Sequence, residues 1–357
     1  MSFEAARQIL RDAITAGAFP AAVVEVGRTR GPVWRDVFGT LTYDSGSPPA
    51  TQATIFDLAS LTKVIATTSI AMRLIDHGQM SLEDRVSDWL PEWQGKDREH
   101  VTLYDLLAHC GGLSAHLPLY ESYSGRQEFQ RIICEFRLDC TPRTQSVYSD
   151  MGFMLLGFIA EDAGHGSLAA QFDPIARLVS PEFVGFLPPK TWKGVTAPTE
   201  VEPWRGRLLV GEVHDPNCWA LGGEAGHAGL FGSAAAVGGF AQLVLRGLRQ
   251  NDSTLAQPET VRLFARRTDI PGSTRALGWD TMKPTSSCGS RMNVTAIGHT
   301  GFTGTSLWID WERDLYVVLL TNRVHPTSTN NLIHQVRPAF HDAVVSAWTS
   351  GDAPTRM

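Results

Sequence analysis

The stretch FDLASLTKVIAT, from Phe56 to Thr67, places Ser60 and Lys63 three residues apart, where an apolar extended segment becomes helical. Residues with this spacing share one side of a helix, so the Lys63 amine can reach the Ser60 hydroxyl. The helix N-terminus favours negative charge at the serine and lowers the affinity of the amine for a proton. The same letters also fit a capped helix with a surface lysine, so the motif needs support from other segments.

Two further segments each permit a catalytic and a structural interpretation. In SVYSDMG, Tyr148 precedes an apolar helical pattern and can relay a proton, although Ser149 or Asp150 can equally cap that helix. In IGHTGFTGTSLWID, His299 and the residues after it lead towards a strand. A glycine there lets a substrate lie along the strand edge, whereas the alternative is a glycine-rich turn with a solvated histidine.

Taken in order, the three segments resemble the motifs of the serine β-lactamase and penicillin-binding-protein superfamily. The resemblance covers nearly the whole chain and is nearest the class C-like branch, which includes DD-peptidases, D-aminopeptidases and esterases. GEVHDPNCWALGGEAGHAGLFGSA, residues 211–234, is similar to a subgroup of serine hydrolases related to low-molecular-weight penicillin-binding proteins. A G-x-S-x-G elbow, which an α/β-hydrolase would need, does not occur.

The resemblance implies an α+β fold: an antiparallel β-sheet built from the N- and C-terminal segments, flanked by terminal helices, with an inserted all-helical domain. Strand-like patterns at both ends of the chain around a helical middle indicate the same arrangement. We predict a discontinuous sheet domain from residues 1–59 and 271–357. Residues 60–270 then form the helical domain, with a long loop at 181–230 near the site.

By resemblance, Ser60 is the nucleophile that forms an acyl-enzyme, and Lys63 and Tyr148 share the proton transfers. The backbone N–H groups of Ser60 and Phe302 form the oxyanion hole. The implied function is hydrolysis of an ester or an amide, as in a carboxylesterase or a D-Ala-type peptidase, with weak or absent β-lactamase activity. The alternative is a β-lactam- or peptide-binding receptor that deacylates slowly or does not catalyse.

The same resemblance assigns substrate contacts to Asp150, His299, Thr300 and Gly301. Asp150 replaces the usual asparagine, and its negative charge favours a protonated Lys63. Tyr148 would then act as the general base in place of the lysine. His299 replaces the usual lysine and is largely neutral near pH 7, which weakens an anchor for a carboxylate.

The long loop and its surroundings supply further candidates. The tryptophans at 192, 204, 219 and 279 could form an acyl pocket, although core and loop packing is the default for most of them. Trp279 is the best candidate because it precedes the His299 strand, and His227 is a candidate substrate contact. His214, Asp215 and His227 include metal-ligand types, but their spacing matches no tight ligand motif and favours loop bracing. We therefore predict no metal and no cofactor.

Composition limits the partners. The 357 residues carry a net charge of −6, which argues against nucleic acid as a partner and favours a small molecule or a short peptide. The longest apolar stretch is too short to span a bilayer, so we predict no membrane association. The start lacks a secretory pattern and the five cysteines are odd in number, which predicts a cytoplasmic protein; an upstream segment would instead indicate the periplasm. The sequence does not determine the oligomeric state.

Overall fold

The computed structural model describes residues 2–179 and 183–351. Residues 181 and 182 of the predicted loop, and residues 352–357 of the predicted sheet domain, lie outside the described residues. The helices are α1 Glu4–Thr15, α2 Thr68–Asp76, α3 Val86–Trp89, α4 Leu103–Leu107, α5 Gly125–Glu135, α6 Asp150–Gly164, α7 Leu168–Ala176, α8 Pro216–Ala220, α9 Ala234–Gln250, α10 Pro258–Ala265 and α11 Ile333–Gly351.

Eleven strands occur within the described residues, most of them short. They are β1 Ala21–Arg28, β2 Gly31–Gly39, β3 Phe56–Asp57, β4 Val184–Phe186, β5 Val201–Glu202, β6 Arg207–Leu208, β7 Leu230–Gly232, β8 Asp280–Thr281, β9 Ile297–Thr300, β10 Ser306–Asp310 and β11 Leu315–Thr321.

The main sheet has six antiparallel strands in the order β2-β1-β11-β10-β9-β8. Its centre joins the two ends of the chain, because β1 pairs with β11 in a register that sets Ala22 opposite Thr321. The predicted fold class is therefore confirmed, with the sheet drawn from N- and C-terminal segments. The division of the chain into two domains stays a prediction.

Alternation along β1 distributes its side chains between two hydrophobic cores. Ala22 and Val24 face the core formed with α1 and α11 on one side of the sheet. Ala21 and Val23 face the other core, which contains α9 and the remaining helices. β1 is buried from Ala21 to Gly27, as expected for a strand covered on both faces.

Two segments differ from their predicted form. The extended run TIFDLAS contributes only Phe56 and Asp57 as strand β3, which pairs with β7 in a separate three-stranded sheet. The predicted 181–230 loop holds strands β4, β5 and β6 and helix α8, too short to leave a periodic sequence pattern. No helix in the described ranges is long and apolar enough to cross a membrane.

Candidate active site

Ser60 lies just beyond β3, at the end of a braced backbone segment. Ala59, the residue before it, has a φ of 47°, a left-handed conformation that is rare outside glycine and clusters at functional sites. The buried carboxylate of Asp57 accepts hydrogen bonds from Ala59 N–H at 2.8 Å and from His214 N–H at 2.7 Å. Bonds to two different segments therefore hold the backbone that presents Ser60.

The turn between β9 and β10 packs against the same segment. The hydroxyl groups of Thr303 and Thr305 donate to the carbonyl oxygens of Asp57 and Leu58, at 2.7 and 3.1 Å. A Cβ atom on Gly301 would lie only 2.6 Å from the carbonyl oxygen of Leu58. Only glycine allows this close approach, which brings the end of β9 beside Ser60.

Two arginine side chains orient the backbone of this turn by binding its carbonyl oxygens. Arg337 donates to the carbonyl oxygen of Gly301 at 2.9 Å, and Arg323 donates to that of Phe302 at 2.8 Å. The backbone N–H groups of Ser60 and Phe302 donate to none of the residues that the structure describes. Both N–H groups are therefore free to bind an oxyanion.

The Lys63 side chain is fully buried at the start of a π-helical turn, Lys63–Thr67, that runs into α2. Its Nζ lies 3.0 Å from Ser60 Oγ, 3.0 Å from the carbonyl oxygen of His227 and 2.7 Å from Asp150 Oδ1. Two of these contacts are hydrogen bonds, and the third is an ion pair with the carboxylate.

Lys63 and Asp150 fix each other's charge state. Burial alone would lower the pKa of Lys63, but Asp150 and Tyr148 outweigh it and raise that pKa above its ordinary value. Burial alone would raise the pKa of Asp150, whereas the charge of Lys63 and the nearby imidazole of His116 hold it below its usual range. The resting pair is therefore an ammonium and a carboxylate, and an ammonium has no lone pair with which to act as a base.

Tyr148 lies among two rings and two cations. Its ring centroid is 4.8 Å from that of His109 and 5.6 Å from that of His299. Lys63 Nζ and Arg275 Cζ each lie 4.9 Å from the same centroid. Tyr148 therefore lies beside the charged Lys63, and its part in the proton transfers stays a prediction.

Two neutral histidines flank this tyrosine. His299 Nδ1–H donates to the carbonyl oxygen of Thr300 at 2.9 Å, and burial with the nearby charges of Arg275 and Lys63 lowers the His299 pKa well below its ordinary value. His109 Nδ1 accepts from Ser149 N–H at 3.0 Å, and burial lowers its pKa as well. Sequence reasoning missed His109, which holds the Tyr148 loop.

The cavity in front of Ser60 has a volume of about 740 Å³. Most sequence-predicted site residues line it, whereas Lys63 lies beneath the surface. The lining residues from the predicted set are Ser60, Tyr148, Asp150, His299, Thr300, Gly301 and Phe302.

Trp279 does not line this cavity, so its interpretation as part of an acyl pocket is wrong. It is 1% exposed and packs in the hydrophobic core, with its ring centroid 6.4 Å from that of Phe240. The next residue, Asp280, does line the cavity. Successive side chains in an extended segment point to opposite sides, so Trp279 points away from the site.

The loop histidines bind carboxylates. His214 Nε2 lies 2.7 Å from Glu200, and His227 Nε2 lies 2.9 Å from Asp215. His227 itself does not line the cavity, although its partner Asp215 does. His227 contacts the buried lysine through its carbonyl oxygen, which accepts from Lys63. Across residues 2–179 and 183–351, no cluster of three or more His, Cys, Asp or Glu side chains is placed to hold a metal ion.

The fold and this site define an active-serine hydrolase with a nucleophile, a buried lysine and a tyrosine. Residues 6–339 match the family model described as Beta-lactamase, and the chain belongs to this family. It is a serine hydrolase that acts through an acyl-enzyme, as predicted from the sequence.

Two curated relatives carry the name "Putative D-alanyl-D-alanine carboxypeptidase". The protein from Salmonella gallinarum is 30% identical over 318 residues, which covers 79% of this chain and 72% of the relative. The protein from Escherichia coli strain K12 is 30% identical over 313 residues, which covers 77% of this chain and 70% of the relative.

Solved structures share the fold at lower identity. EstCE1, described as a hydrolase with promiscuous acyltransferase activity, superposes with a TM-score of 0.77 at 20% identity, over 96% of this chain and 98% of its own. An octameric penicillin-binding protein homologue from Pyrococcus abyssi has a TM-score of 0.75 at 19% identity, over 100% of this chain and 79% of its own.

Proposed function

We propose that the protein is a carboxypeptidase-type serine hydrolase that cleaves a short peptide ending in a free carboxylate, with a D-alanyl-D-alanine terminus as the reference substrate. The observation that carries this proposal is Arg275, which sequence reasoning missed. Its guanidinium group lies over Tyr148, lines the cavity with His299 and Thr300, and forms no ion pair with a described carboxylate.

Arg275 supplies the charge that His299 lacks. His299 is neutral and buried, so it offers no cation to a substrate carboxylate. A guanidinium group keeps its charge at any physiological pH and binds carboxylates through two parallel hydrogen bonds. The names of the two curated relatives indicate the same kind of substrate.

We infer the catalytic steps from the predicted roles of these residues. Ser60 Oγ attacks the scissile carbonyl carbon while its proton passes to the phenolate oxygen of Tyr148, which becomes a neutral phenol; before this transfer the charge of Lys63 stabilises the phenolate. The N–H groups of Ser60 and Phe302 bind the oxyanion. Tyr148 then protonates the leaving amine as the C–N bond breaks, and water hydrolyses the resulting Ser60 ester.

Arg275→Ala is expected to lower kcat/KM for a diacylated tripeptide ending in D-Ala-D-Ala by roughly 10- to 100-fold, since a charge-assisted hydrogen bond is lost. The same peptide with a C-terminal amide should be a poor substrate for the wild type and should be unaffected by the substitution. Arg275→Lys should recover part of the loss, because it restores charge without the bidentate geometry. The test is to measure kcat/KM for the peptide acid and the peptide amide with the wild type, Arg275→Ala and Arg275→Lys.

The control variant is Arg266→Ala, an exposed arginine that does not line the cavity. Turnover of a short p-nitrophenyl ester should be similar in all these proteins, which shows that the catalytic groups are intact. Equal turnover of acid and amide by the wild type would contradict the assignment of Arg275. A stable adduct without turnover of any substrate would favour the receptor alternative.

The cellular location bears on which peptides are available. All five cysteines are free thiols, as in proteins of a reducing compartment. We propose a cytoplasmic location on this ground, which directs the search for the natural substrate to short peptides free in solution.

A further inference from the structure

Three aromatic side chains form an exposed cluster at the rim of the catalytic cavity: Tyr120, Trp204 and Trp219. The ring centroids of Tyr120 and Trp204 are 4.8 Å apart, and those of Trp204 and Trp219 are 5.3 Å apart, both in edge-to-face geometry. Trp204 is 45% exposed and Trp219 is 41% exposed. Two large indoles left together in solvent contribute little to the core, and clustered exposed apolar groups mark binding sites.

Buried polar bonds hold this rim aromatic cluster in place. The side chain of Asn217, which is fully buried, accepts from Tyr120 N–H at 3.0 Å and donates to the carbonyl oxygen of Leu117 at 2.8 Å. The carboxylate of Glu202 accepts from Trp204 N–H at 3.0 Å. The aromatic surface is therefore preorganised, which lowers the entropy lost when a ligand binds.

The cluster is continuous with the cavity. Each of its three segments also contributes a cavity-lining residue, namely His116, Glu202 and Pro216. His116 lies against Asp150, with Nδ1 3.7 Å from Oδ2. Arg275 lies against Tyr148, away from His116. A substrate whose leaving group contacts Arg275 can therefore extend its acyl part past His116 towards the cluster.

The surroundings of the cluster are acidic. Burial and the nearby charges of Glu121, Glu202 and Asp215 raise the pKa of Tyr120. Glu121 is exposed and forms no ion pair within the described part of the chain. One cation already uses this surface, because Arg205 Cζ lies 5.9 Å from the Trp219 ring centroid.

Arg205 does not remove the negative character of the rim. Its guanidinium group pairs with Glu202 at 3.2 Å and with Glu212 at 3.2 Å, so its charge is offset within the protein. The remaining exposed faces of the two indoles combine with Glu121 into a surface that attracts cations and offers nothing to anions.

We propose that the rim aromatic cluster binds a positively charged amine at the distal end of the substrate's acyl group. The position of the acyl group rests on the proposed function, which places the leaving group beside Arg275. An ammonium group gains cation–π contact with tryptophan faces and long-range attraction from the carboxylates. The cluster thus selects substrates by their acyl side, independently of the carboxylate recognised by Arg275.

A series of ω-aminoacyl p-nitrophenyl esters of increasing length, each paired with its N-acetylated form, tests this. The wild type should prefer the free amine by roughly 3- to 30-fold in kcat/KM at the length that reaches the cluster. The preference should shrink as NaCl rises from about 0.05 to 0.5 M, because salt screens exposed charges. Substitution of both indoles, Trp204→Leu with Trp219→Leu, should reduce the preference to less than about twofold.

The variants separate cation binding from packing. Trp219→Phe keeps an aromatic face and should keep most of the preference, whereas Phe136→Leu, at an exposed aromatic outside the cavity lining, should leave it unchanged. Absence of a preference at every chain length in the wild type overturns the proposal, as does a preference that survives in the double leucine variant. The p-nitrophenyl leaving group carries no carboxylate, so these results do not depend on whether D-Ala-D-Ala peptides are cleaved.

Discussion

Ser60→Ala is expected to lower turnover of every substrate by roughly 10³- to 10⁶-fold, since removal of the nucleophile in serine hydrolases leaves only binding and oxyanion stabilisation. The variant should also form no covalent adduct with a p-nitrophenyl ester or a penicillin, as read by mass spectrometry of the intact protein. Stability should change little, because among the described residues the Ser60 hydroxyl has a single hydrogen-bond partner, Lys63 Nζ.

The matched control is Ser124→Ala, at an exposed serine whose side chain makes no capping hydrogen bond to α5. It should retain wild-type turnover and adduct formation. An adduct of full stoichiometry on the Ser60→Ala protein would identify a different nucleophile and remove the basis of the proposed mechanism.

Asp150→Ala is expected to destabilise the protein by about 3–5 kcal/mol near pH 7, because it leaves the ammonium group of Lys63 buried without its counter-charge. Asp150→Asn should cost less, since the amide still accepts a hydrogen bond, and it should lower the pKa of Lys63 towards the value that burial favours. Chemical denaturation measures the first effect, and the rate of lysine carbamylation against pH measures the second.

The pH dependence of stability follows from the two pKa directions. The Asp150 pKa is lowered in the folded state, so its stabilisation is present above about pH 4 and is lost as pH falls towards the folded value. The Lys63 pKa is raised, so its stabilisation is present below about pH 10 and is lost as pH rises through the folded value. The loss of stability at low pH and the loss of stability at high pH should both be smaller in Asp150→Asn.

An exposed ion pair provides the comparison for the destabilisation expected of Asp150→Ala. Asp173→Asn removes the partner of Arg177 on the surface of α7 and should change stability by less than about 1 kcal/mol. If Asp150→Ala also loses less than about 1 kcal/mol of stability, Lys63 is neutral in the folded protein, which would contradict its assignment as an ammonium group.

Sequence motifs were sufficient for the residues that depend on local geometry. Ser60 and Lys63 are one turn apart, so their contact follows from helix spacing alone. The order of the remaining motifs indicated the family, and with it the sheet that joins the two ends of the chain. Trp279 was assigned wrongly because its direction depends on which face of β8 meets the cavity, and two strand residues leave no readable alternation.

The residues that sequence reasoning missed or could not place reach the site through long-range packing. Arg275 lies more than a hundred residues from Tyr148 in the chain and contacts it only in the folded protein. Sequence reasoning named Trp204 and Trp219 as possible pocket residues but could not separate them from packing, because an indole in an aperiodic segment is more often buried than exposed. Their exposure is known only once the bonds of Asn217 and Glu202 place the three segments at the rim.

The pairing of β1 with β11 also determines when activity appears during synthesis. Ala22 is synthesised about three hundred residues before its partner Thr321. β9 and the turn that carries Phe302 are also made long after Ser60, since both lie within about twenty residues of the start of β11. A growing chain therefore carries Ser60 long before the strands and the turn that pack beside it exist, and we expect hydrolysis to begin only after β11 has been made.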